Sequence, residues 1–420
     1  MRLLIVSQYF WPENFGINAL ALALRDRGVK VTVLSGMPNY PEGAIFPGYP
    51  RLRVLREEYQ GVEVIRVPII PRGRKSGLRL ALNYLSFVLS GMLLGPWLLR
   101  GRSFDVVFVY ATSPLLQALP AVLMARLKSM PFVLWVQDLW PESLSATGYV
   151  KDSRVLAVVA WVVRYIYRRT DSILMQSEAF RAPIVALSNE GAPLHYFPNA
   201  WVSQGDSVAG VAPGMDELVA DVAAGFSVVF AGNLGKAQAL DTVLDAAELL
   251  QRRGLAVRFF LVGSGSVSDW LASQVQERGL RNVVLPGRFS AQSMAPLYAA
   301  ASALLVSLRD EPIFGYTIPS KVQGYLAAGR PIVASINGEG ARIVELAGAG
   351  IACPAGDANA LADAVATLYS VEPAIRARMG QAGREFALAN FSLQSLADWL
   401  CQHLDQLASE TAANHVEEVS

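Results

Sequence analysis

The chain has few of the residues from which disulfide frameworks and metal centres are built. Its 420 residues include two cysteines, Cys353 and Cys401, and three histidines that show no metal-ligand spacing. Two cysteines so far apart in sequence argue against a disulfide scaffold and a thiolate metal site, and they suit a reducing compartment. We therefore expect no metal and no other cofactor.

An excess of charge of one sign is also missing. The sequence has 36 Lys and Arg residues against 35 Asp and Glu residues, which gives a net charge of +1. Binding to nucleic acid usually requires a basic field, so we expect no nucleic-acid partner. The first apolar run, Leu3–Val6, is too short for a signal peptide, and we expect a cytoplasmic protein.

Three common enzyme motifs do not occur. No G-x-G-x-x-G follows the first predicted strand, no G-x-x-x-x-G-K-[ST] is present, and no G-x-S-x-G is present. These absences disfavour a Rossmann dehydrogenase, a P-loop enzyme and a hydrolase with a nucleophile elbow.

Short apolar runs alternate with helical patterns along most of the chain. In the first half they predict strands at Leu3–Val6, Val31–Leu34, Val62–Val67, Val106–Val109, Phe132–Val136 and Ser172–Met175. In the second half they predict strands at Ser227–Ala231, Arg258–Val262, Val283–Leu285, Ala303–Val306 and Ile332–Ala334. Alternation of this kind is typical of βαβ units and parallel sheets.

The pattern predicts an α/β fold of two Rossmann-like, doubly wound domains that face a central cleft. We place the first domain at 1–203 and the second at 204–390, with the turn-rich stretch Pro198–Asp206 as the linker. A helix at 391–410 is expected to pack back toward the first domain, and residues 411–420 are expected to form a disordered tail.

The segment Glu311–Ala334, EPIFGYTIPSKVQGYLAAGRPIVA, predicts a loop, a helix and a buried strand. Ser320 is placed as the N-cap, Lys321 lies in the first turn, and Gly329 ends the helix. Free N–H groups at a helix N-terminus bind anions, and a lysine adds a full charge. The segment fits either a nucleotide diphosphate site or an ordinary turn with a surface lysine.

Three strands of the second half end in glycine-rich or basic turns, with the sequences FAGNLGKAQ, LVGSG and LPGRF. Each turn alone could serve only packing between strand and helix. Together they would lie at one edge of the sheet, where open α/β sheets bind nucleotides. The candidates are Gly232, Asn233, Gly235, Lys236, Gly263 and Arg288.

The first half carries candidates of its own. Asn14 and Gly16 belong to an aromatic loop after the first strand, and Asp138 and Glu142 follow a buried strand. Carboxylates near a helix N-terminus are favoured by the helix dipole without any catalytic role. For Glu142 both interpretations stand, whereas for Asp138 we favour a functional one.

An apolar segment, Leu80–Leu99, lies between the basic stretches Arg72–Arg79 and Arg100–Arg102. It is long enough to span a bilayer, but polar residues and Pro96 interrupt it. We expect a surface helix that dips into a membrane with arginines on anionic headgroups, joined by a second segment at Leu156–Tyr167. The alternative is two buried core helices.

Taken together, these segments resemble the family-4 glycosyltransferases of the GT-B fold. The resemblance runs from Arg2 to about Leu400, and the branch it resembles most is that of polysaccharide and O-antigen enzymes similar to L-fucosamine transferases. The motifs are SQYFWPENFG, MPNYPEG, WVQDLWPES, MQSEAFR, YFPNA, FAGNLGKAQ, LVGSG, IPSKVQGYLAAGRPI and GEGARIVELAGAGIACPAGDANALADAV.

The resemblance implies a retaining, metal-independent transfer of a sugar from a nucleotide-sugar donor, such as a UDP-sugar. The first domain is then the acceptor side and the second the donor side. The implied sugar is an N-acetylated or 6-deoxy amino sugar. The implied acceptor is a lipid-diphosphate-linked saccharide of O-antigen, capsule or exopolysaccharide synthesis, reached by peripheral association with the inner-membrane surface.

The sequence departs from the family at two glutamates that hold the donor in many relatives. Their positions hold Tyr316 and Gly324, and Gln323 is the candidate replacement for a ribose contact. We assign catalytic roles to Asp138, Lys321 and Lys236, donor binding to Gly16, Gly232, Asn233, Gly235, Gly263, Arg288, Ser320 and Gln323, and acceptor contacts to Asn14 and Glu142. Because the glutamates are missing, a non-catalytic nucleotide-sugar-binding scaffold stays open, as do an epimerase and a phosphorylase.

Overall fold

A computed structural model describes residues 1–73, 76–146, 152–188, 191–201, 213–290 and 293–419. Arg74 and Lys75 of the basic stretch, and most of the predicted linker, lie outside the described residues. The chain divides into two compact units, one of Met1–Ala200 with Leu393–Ser420 and the other of Trp201–Ser392. The division thus falls three residues before the boundary predicted at 203, and the last helix belongs to the first unit.

The first unit is built on an eight-stranded sheet. Its strands are β1 (Arg2–Val6), β2 (Lys30–Gly36), β3 (Leu55–Tyr59), β4 (Val62–Val67), β5 (Val106–Ala111), β6 (Phe132–Val136), β7 (Ser172–Met175) and β8 (Leu194–Tyr196). They follow the order β3-β4-β2-β1-β5-β6-β7-β8, and only β3 runs antiparallel. Its helices are α1 (Gly16–Asp26), α2 (Gly77–Leu98), α3 (Leu119–Lys128), α4 (Glu142–Ala146), α5 (Ser153–Tyr167) and α6 (Arg181–Ser188).

The second unit has six parallel strands in the order β11-β10-β9-β12-β13-β14. They are β9 (Phe226–Asn233), β10 (Val257–Ser264), β11 (Val283–Gly287), β12 (Ala303–Ser307), β13 (Ile332–Ser335) and β14 (Gly350–Cys353). The helices are α7 (Met215–Ala223), α8 (Leu240–Arg252), α9 (Ser268–Glu277), α10 (Met294–Ala300), α11 (Pro312–Gly315), α12 (Ser320–Ala328), α13 (Glu339–Leu346), α14 (Ala358–Ser370) and α15 (Pro373–Phe391).

Every strand predicted from an apolar run is present. Strands such as β5 and β6 are buried at every residue, because helices cover both faces of a parallel sheet. The sequence analysis missed β3, β8 and β14. The burial of β3 alternates along an antiparallel edge strand, and β8 has three residues, so neither produces an apolar run.

The apolar segment of the first unit forms α2, and this helix has two different faces. One face packs closely on α3, since a Cβ on Gly91 would lie 2.8 Å from Cγ of Pro120. The other face leaves Leu89, Leu93 and Trp97 between 60% and 75% exposed. The interpretation of α2 as a buried core helix is therefore wrong for half of its surface.

The last helix, α16 (Leu393–Val419), packs on the first unit rather than on the second. The Arg27 side chain binds Asp398 at 2.6 Å, and Trp399 stacks on His403 with ring centroids 4.8 Å apart. The helix continues to Val419, so the prediction of a disordered tail from residue 411 is wrong for the backbone as far as Val419.

His403 makes this packing sensitive to acid. Its Nε2 lies 2.8 Å from Oγ of Ser172, and its ring lies 4.6 Å from that of His195. Burial, with the nearby His195, lowers the pKa of His403 to about 4 from the ordinary 6.5, although Glu410 opposes the shift. The folded protein thus binds fewer protons than the unfolded chain between these values, and stability falls as the pH falls through them.

We predict that wild-type protein loses stability between pH 6.5 and pH 4 through His403, and that His403→Phe loses less over the same interval. Denaturant unfolding at several pH values measures the difference between the two proteins. Because groups far from His403 titrate equally in both, the difference reports on His403 and on its interaction with His195. Parallel pH profiles for the two proteins would show that His403 is not responsible.

Candidate functional site

A cavity of about 770 Å³ opens at the carboxyl ends of β9, β10 and β11 in the second unit. Its size suits a nucleotide-like ligand. It is lined by Ala231, Gly232, Asn233, Val262, Gly263, Ser264, Gly265, Arg288, Phe289, Ser290, Met294 and Tyr298. Four of the predicted donor residues, Gly232, Asn233, Gly263 and Arg288, thus come together here, and we call this space the strand-end cavity.

Part of the wall of the strand-end cavity is backbone, because two glycine loops lie in contact there. Gly232 and Gly263 have φ angles of +141° and +146°, and a Cβ on Gly263 would lie 1.8 Å from the carbonyl oxygen of Gly232. The amide of Leu234 donates to the carbonyl of Ser264 at 3.0 Å. Gly263 therefore has a packing role, in addition to the donor contact that the sequence analysis predicts for it.

Lys321 reaches the first of these loops from α12. Its Nζ lies 3.3 Å from Oε1 of Gln238 and 4.9 Å from the centroid of the Phe230 ring. A Cβ on Gly232 would lie 2.8 Å from Cε of Lys321, so a side chain at this position would displace the end of the lysine arm. Burial lowers the pKa of Lys321, which makes its ammonium costly without an anionic partner.

The start of α12 differs from the predicted start in one detail. Pro319 holds the N-cap position with no side-chain hydrogen bond, and Ser320 is the first helical residue, so the N-cap prediction for Ser320 is wrong. Proline has no N–H to donate, and its preferred φ suits the entry to a helix. Gly329 ends the helix with a φ of +70°, as the sequence analysis predicts.

Tyr325 fixes α12 against the end of β9. Its hydroxyl accepts from the amide of Ala231 at 3.0 Å and donates to the carbonyl of Ala231 at 3.3 Å. Strands β9 and β12 pair only through Val228 and Val229, so this hydroxyl takes the place of further ladder bonds. The sheet therefore separates where its strand order reverses, which is where open α/β sheets bind ligands.

Gly235 and Lys236 do not line the strand-end cavity. They line a second cavity of about 490 Å³ with Leu240, Asp241, Ser266, Val267, Trp270 and Arg309. The guanidinium of Arg309 donates from Nε to the carbonyl of Lys236 at 2.7 Å and binds Asp241 at 3.0 Å. The catalytic role assigned to Lys236 stays a prediction, and its exposed side chain lies beside a different space from the one that Gly232 lines.

The position of the second missing glutamate faces an indole. A Cβ on Gly324 would lie 4.0 Å from Nε1 of Trp201, and the neighbouring Gln323 is only 6% exposed. A ribose contact from Gln323 stays a prediction. Trp201 was not among the sequence candidates, because nothing in the sequence indicates its approach to α12.

In the first unit, Asp138 joins the ends of β5 and β6. Its Oδ2 accepts from the backbone amide of Ser113 at 3.0 Å and from the Ser113 hydroxyl at 2.9 Å. The indole of Trp140 donates to the same hydroxyl at 3.1 Å. Asp138 therefore has a structural role at the strand ends, and a part in chemistry stays a prediction.

The remaining first-unit candidates lie at helix starts and loops. Gly16 begins α1, and a Cβ there would lie 3.8 Å from the hydroxyl of Tyr110. Burial, with the charge of Asp138, raises the pKa of Tyr110, so this hydroxyl keeps its proton. Asn14 is exposed in the preceding loop, and Glu142 begins α4.

Sequence reasoning missed Glu13, which holds two loops of the first unit together. Its carboxylate accepts from the backbone amides of Asn39 at 2.8 Å, Tyr40 at 2.7 Å and Phe10 at 3.3 Å. Burial raises the pKa of Glu13 to about 7 despite these bonds. Glu13 therefore connects the motif SQYFWPENFG to the motif MPNYPEG. Its partners in the second motif lie at least 26 residues away, so no local sequence pattern predicts the contact.

Two family models match the chain along most of its length. The model for a glycosyl transferase 4-like domain matches residues 15–200, and the model for glycosyl transferases group 1 matches residues 225–370. The chain therefore belongs to the family-4 glycosyltransferases. It is 28% identical to the probable glycosyltransferase WbjE of Pseudomonas aeruginosa over 70% of this chain and 72% of WbjE.

A second relative and one solved structure agree with this assignment. WcaI of Escherichia coli, a putative colanic acid biosynthesis glycosyl transferase, is 25% identical over 78% of this chain and 82% of its own. HepE of Anabaena in complex with UDP superposes with a TM-score of 0.65 over 97% of this chain and 100% of HepE, at 16% identity. The fold is GT-B.

We predict that activity requires one ammonium group between Gly232 and Gln238. Either Lys321 or a lysine introduced at position 238 should be able to supply it. Lys321→Gln should lower kcat/KM about a hundredfold, because a charge contact to the transition state contributes about 3 kcal/mol. The double variant Lys321→Gln with Gln238→Lys should regain at least about tenfold of that loss, since Nζ and Oε1 are adjacent. Steady-state kinetics with the nucleotide-sugar donor measures both.

Arg281→Gln provides the control, since Arg281 is an exposed cation of the same unit that lines neither cavity. Wild-type kinetics in folded Lys321→Gln would remove Lys321 from the site. A double variant no better than Lys321→Gln alone would show that the ammonium must come from α12.

Proposed function

We propose that the protein is a retaining glycosyltransferase that moves a sugar from a nucleotide-sugar donor to a lipid-diphosphate-linked saccharide. The observation that carries this proposal is the partly buried Lys321 ammonium against Gly232, beside the strand-end cavity. A partly desolvated cation next to glycine backbone suits the diphosphate of a donor. The nucleoside then lies in the strand-end cavity, and the sugar extends from the diphosphate.

In this mechanism the leaving nucleoside diphosphate is stabilised by cations of the chain. Negative charge develops on it as the glycosidic bond to the donor breaks, and preorganised donors stabilise that charge most effectively. Lys321 and the free N–H groups at the start of α12 serve this purpose, and Arg288, which lines the cavity, is a second cation. We propose that the reaction needs no metal, because these groups already stand where the charge develops.

The proposed donor and acceptor are supported by the names of similar proteins. The name of WcaI, a putative colanic acid biosynthesis glycosyl transferase, supports a role in polysaccharide synthesis, and we propose O-antigen, capsule or exopolysaccharide as the product. The UDP bound to HepE supports a UDP-sugar donor. We propose an N-acetylated or 6-deoxy amino sugar as the transferred group.

A non-catalytic scaffold that binds nucleotide sugars is the second candidate. It is favoured by Tyr316 and Gly324, which stand where many relatives carry glutamates. A scaffold would bind the donor without turnover, whereas an epimerase would change the sugar without transferring it. Product analysis separates all three.

We predict transfer from one member of a panel of UDP-sugars to a polyprenyl-diphosphate-linked saccharide in detergent, with retained anomeric configuration in the product. Mass spectrometry detects the product, and NMR of its anomeric proton reads the stereochemistry. Donor binding by calorimetry without any product would favour the scaffold. An isomerised sugar nucleotide without acceptor would favour the epimerase.

We further propose peripheral association with the cytoplasmic membrane through α2 and α5. Exposed apolar side chains on α2 include Leu78, Leu85, Leu89, Leu93 and Trp97, and those on α5 include Val155, Val158 and Trp161. α2 is the one described helix long and apolar enough to cross a membrane, and 22% of its most apolar window is buried. Partly exposed apolar helices flanked by arginines suit an interfacial position.

We predict that wild-type protein partitions between membrane and soluble fractions, and that high salt releases only part of it. Each arginine near anionic lipid contributes about 1 kcal/mol, which salt weakens, whereas burial of leucines resists salt. Leu89→Ser with Leu93→Ser should lower the salt-resistant fraction, because both side chains are exposed and removing them spares the core. A wild-type protein found wholly in the soluble fraction would contradict this proposal.

A further inference from the structure

Three aromatic rings cluster in the first unit, in the loops that follow β1 and β2. Tyr9 stacks on Phe15 with ring centroids 5.2 Å apart and an interplanar angle of 13°. Tyr40 lies 5.3 Å from Phe15 and 5.8 Å from Tyr9. Tyr9 is only 3% exposed, whereas Tyr40 is 37% exposed and Phe15 is partly exposed, so the cluster presents ring surface to solvent over a buried base.

The cluster is held in place from below. Besides the bonds from Glu13 to the loop of Tyr40, the amide of Asn83 on α2 donates to Oδ1 of Asn39 at 3.3 Å and to the carbonyl of Ile70 at 2.6 Å. The side chain of Gln8 donates to Oδ1 of Asn83 at 2.7 Å. These buried bonds connect the cluster to α2, so the rings form a preorganised surface.

Two arginines lie near the cluster and the first turn of α2. The guanidinium of Arg72 lies 4.9 Å from the centroid of the Tyr40 ring, and its backbone amide donates to Oδ1 of Asn39 at 3.1 Å. A Cβ on Gly73 would lie 2.9 Å from Cδ of Arg79, so Arg79 lies beside the segment that contains Arg72. In the described part of the chain, neither arginine forms an ion pair.

Contacts lead from the ring of Tyr40 to the guanidinium of Arg72, and Arg79 lies in the first turn of α2 beside the exposed Leu78. Exposed leucines continue from Leu78 along α2 to Leu93, followed by Trp97. A lipid-diphosphate-linked saccharide has the same order of chemistry, since its sugar, diphosphate and hydrocarbon chain follow one another. Guanidinium groups match diphosphate oxygens in charge and geometry, and aromatic faces with nearby amides are common in ligand sites.

We propose that this surface binds the lipid diphosphate of the acceptor, with Arg72 and Arg79 on the diphosphate, Phe15 and Tyr40 against the first sugar, and α2 along the lipid. The proposal rests on the proposed function, since it locates the acceptor of that reaction. A bare anionic membrane would use the leucines and arginines equally well. It would leave the aromatic cluster and its buried supports without a role.

The test is flotation of the full chain with two kinds of vesicle of equal surface charge. One contains a polyprenyl-diphosphate-linked saccharide in phosphatidylcholine, and the other contains phosphatidylglycerol in phosphatidylcholine. The variants are Arg72→Gln, Tyr40→Ala and Tyr40→Leu, and Arg100→Gln is the matched control. Arg100 is an exposed arginine just after the other end of α2, so it senses the same membrane without facing the aromatic cluster.

We expect wild-type protein to bind the diphosphate vesicles about tenfold more tightly than the phosphatidylglycerol vesicles, as one charge-assisted contact would give. Arg72→Gln should remove that preference, and both Tyr40 variants should weaken it. Arg100→Gln should lower binding to both vesicles alike and keep the preference. Equal binding of wild type to the two vesicles, or equal loss of preference in Arg100→Gln, would overturn the proposal.

Two further controls separate a loss of binding from a loss of folding. Circular dichroism and UDP binding in the same samples show whether each variant is folded, and Tyr40→Leu keeps apolar volume where Tyr40→Ala removes it. Wild type that prefers diphosphate vesicles but binds no UDP would contradict the proposed function and leave the lipid-diphosphate surface standing. Wild type that binds UDP but shows no preference between the vesicles would contradict the lipid-diphosphate surface and leave the proposed function standing.

Discussion

The proposed donor side of this protein depends on the contact between two backbone loops that have no side chains where they meet. Gly263 leaves space for the carbonyl of Gly232, and Gly232 leaves space for the arm of Lys321. Three segments of the chain, from β9, β10 and α12, therefore converge on a volume in which a single methyl group would collide. This contact places a partly buried ammonium beside a cavity that is walled in part by glycine backbone, and the proposed chemistry follows from that placement.

The two units use one architecture for different purposes. Each has a sheet whose parallel strands change direction of strand order between β1 and β5 in the first unit and between β9 and β12 in the second. In the second unit the strand ends carry glycines and cations, which suits a diphosphate. In the first they carry aromatic rings, amides and a buried carboxylate, and α2 extends from them with exposed leucines. We propose that this difference in side chains at the strand ends separates a donor side from an acceptor side.

The sequence predicts those features that depend on local chemistry. The apolar runs predict all eleven strands named in the sequence analysis. A strand that is covered on both faces is apolar along its length, so it appears as a continuous apolar run. Glycine and proline predict the turns around α12. The sequence does not predict which distant groups meet: the Tyr325 hydroxyl on Ala231, the Gln238 amide on Lys321 and the Glu13 carboxylate on Asn39 all join residues that are distant in sequence. It also groups Lys236 with Lys321, whereas the fold directs the two side chains to different spaces.

The central claim, that Lys321 holds the diphosphate of a nucleotide donor, is tested most directly by calorimetric titration of UDP and of uridine into wild type and Lys321→Met. Methionine keeps much of the apolar arm over Gly232 and removes the charge. The account predicts that the variant binds uridine as wild type does and binds UDP about tenfold or more weakly, because the lost contact is to phosphate alone. Equal affinity of the two proteins for UDP would contradict it.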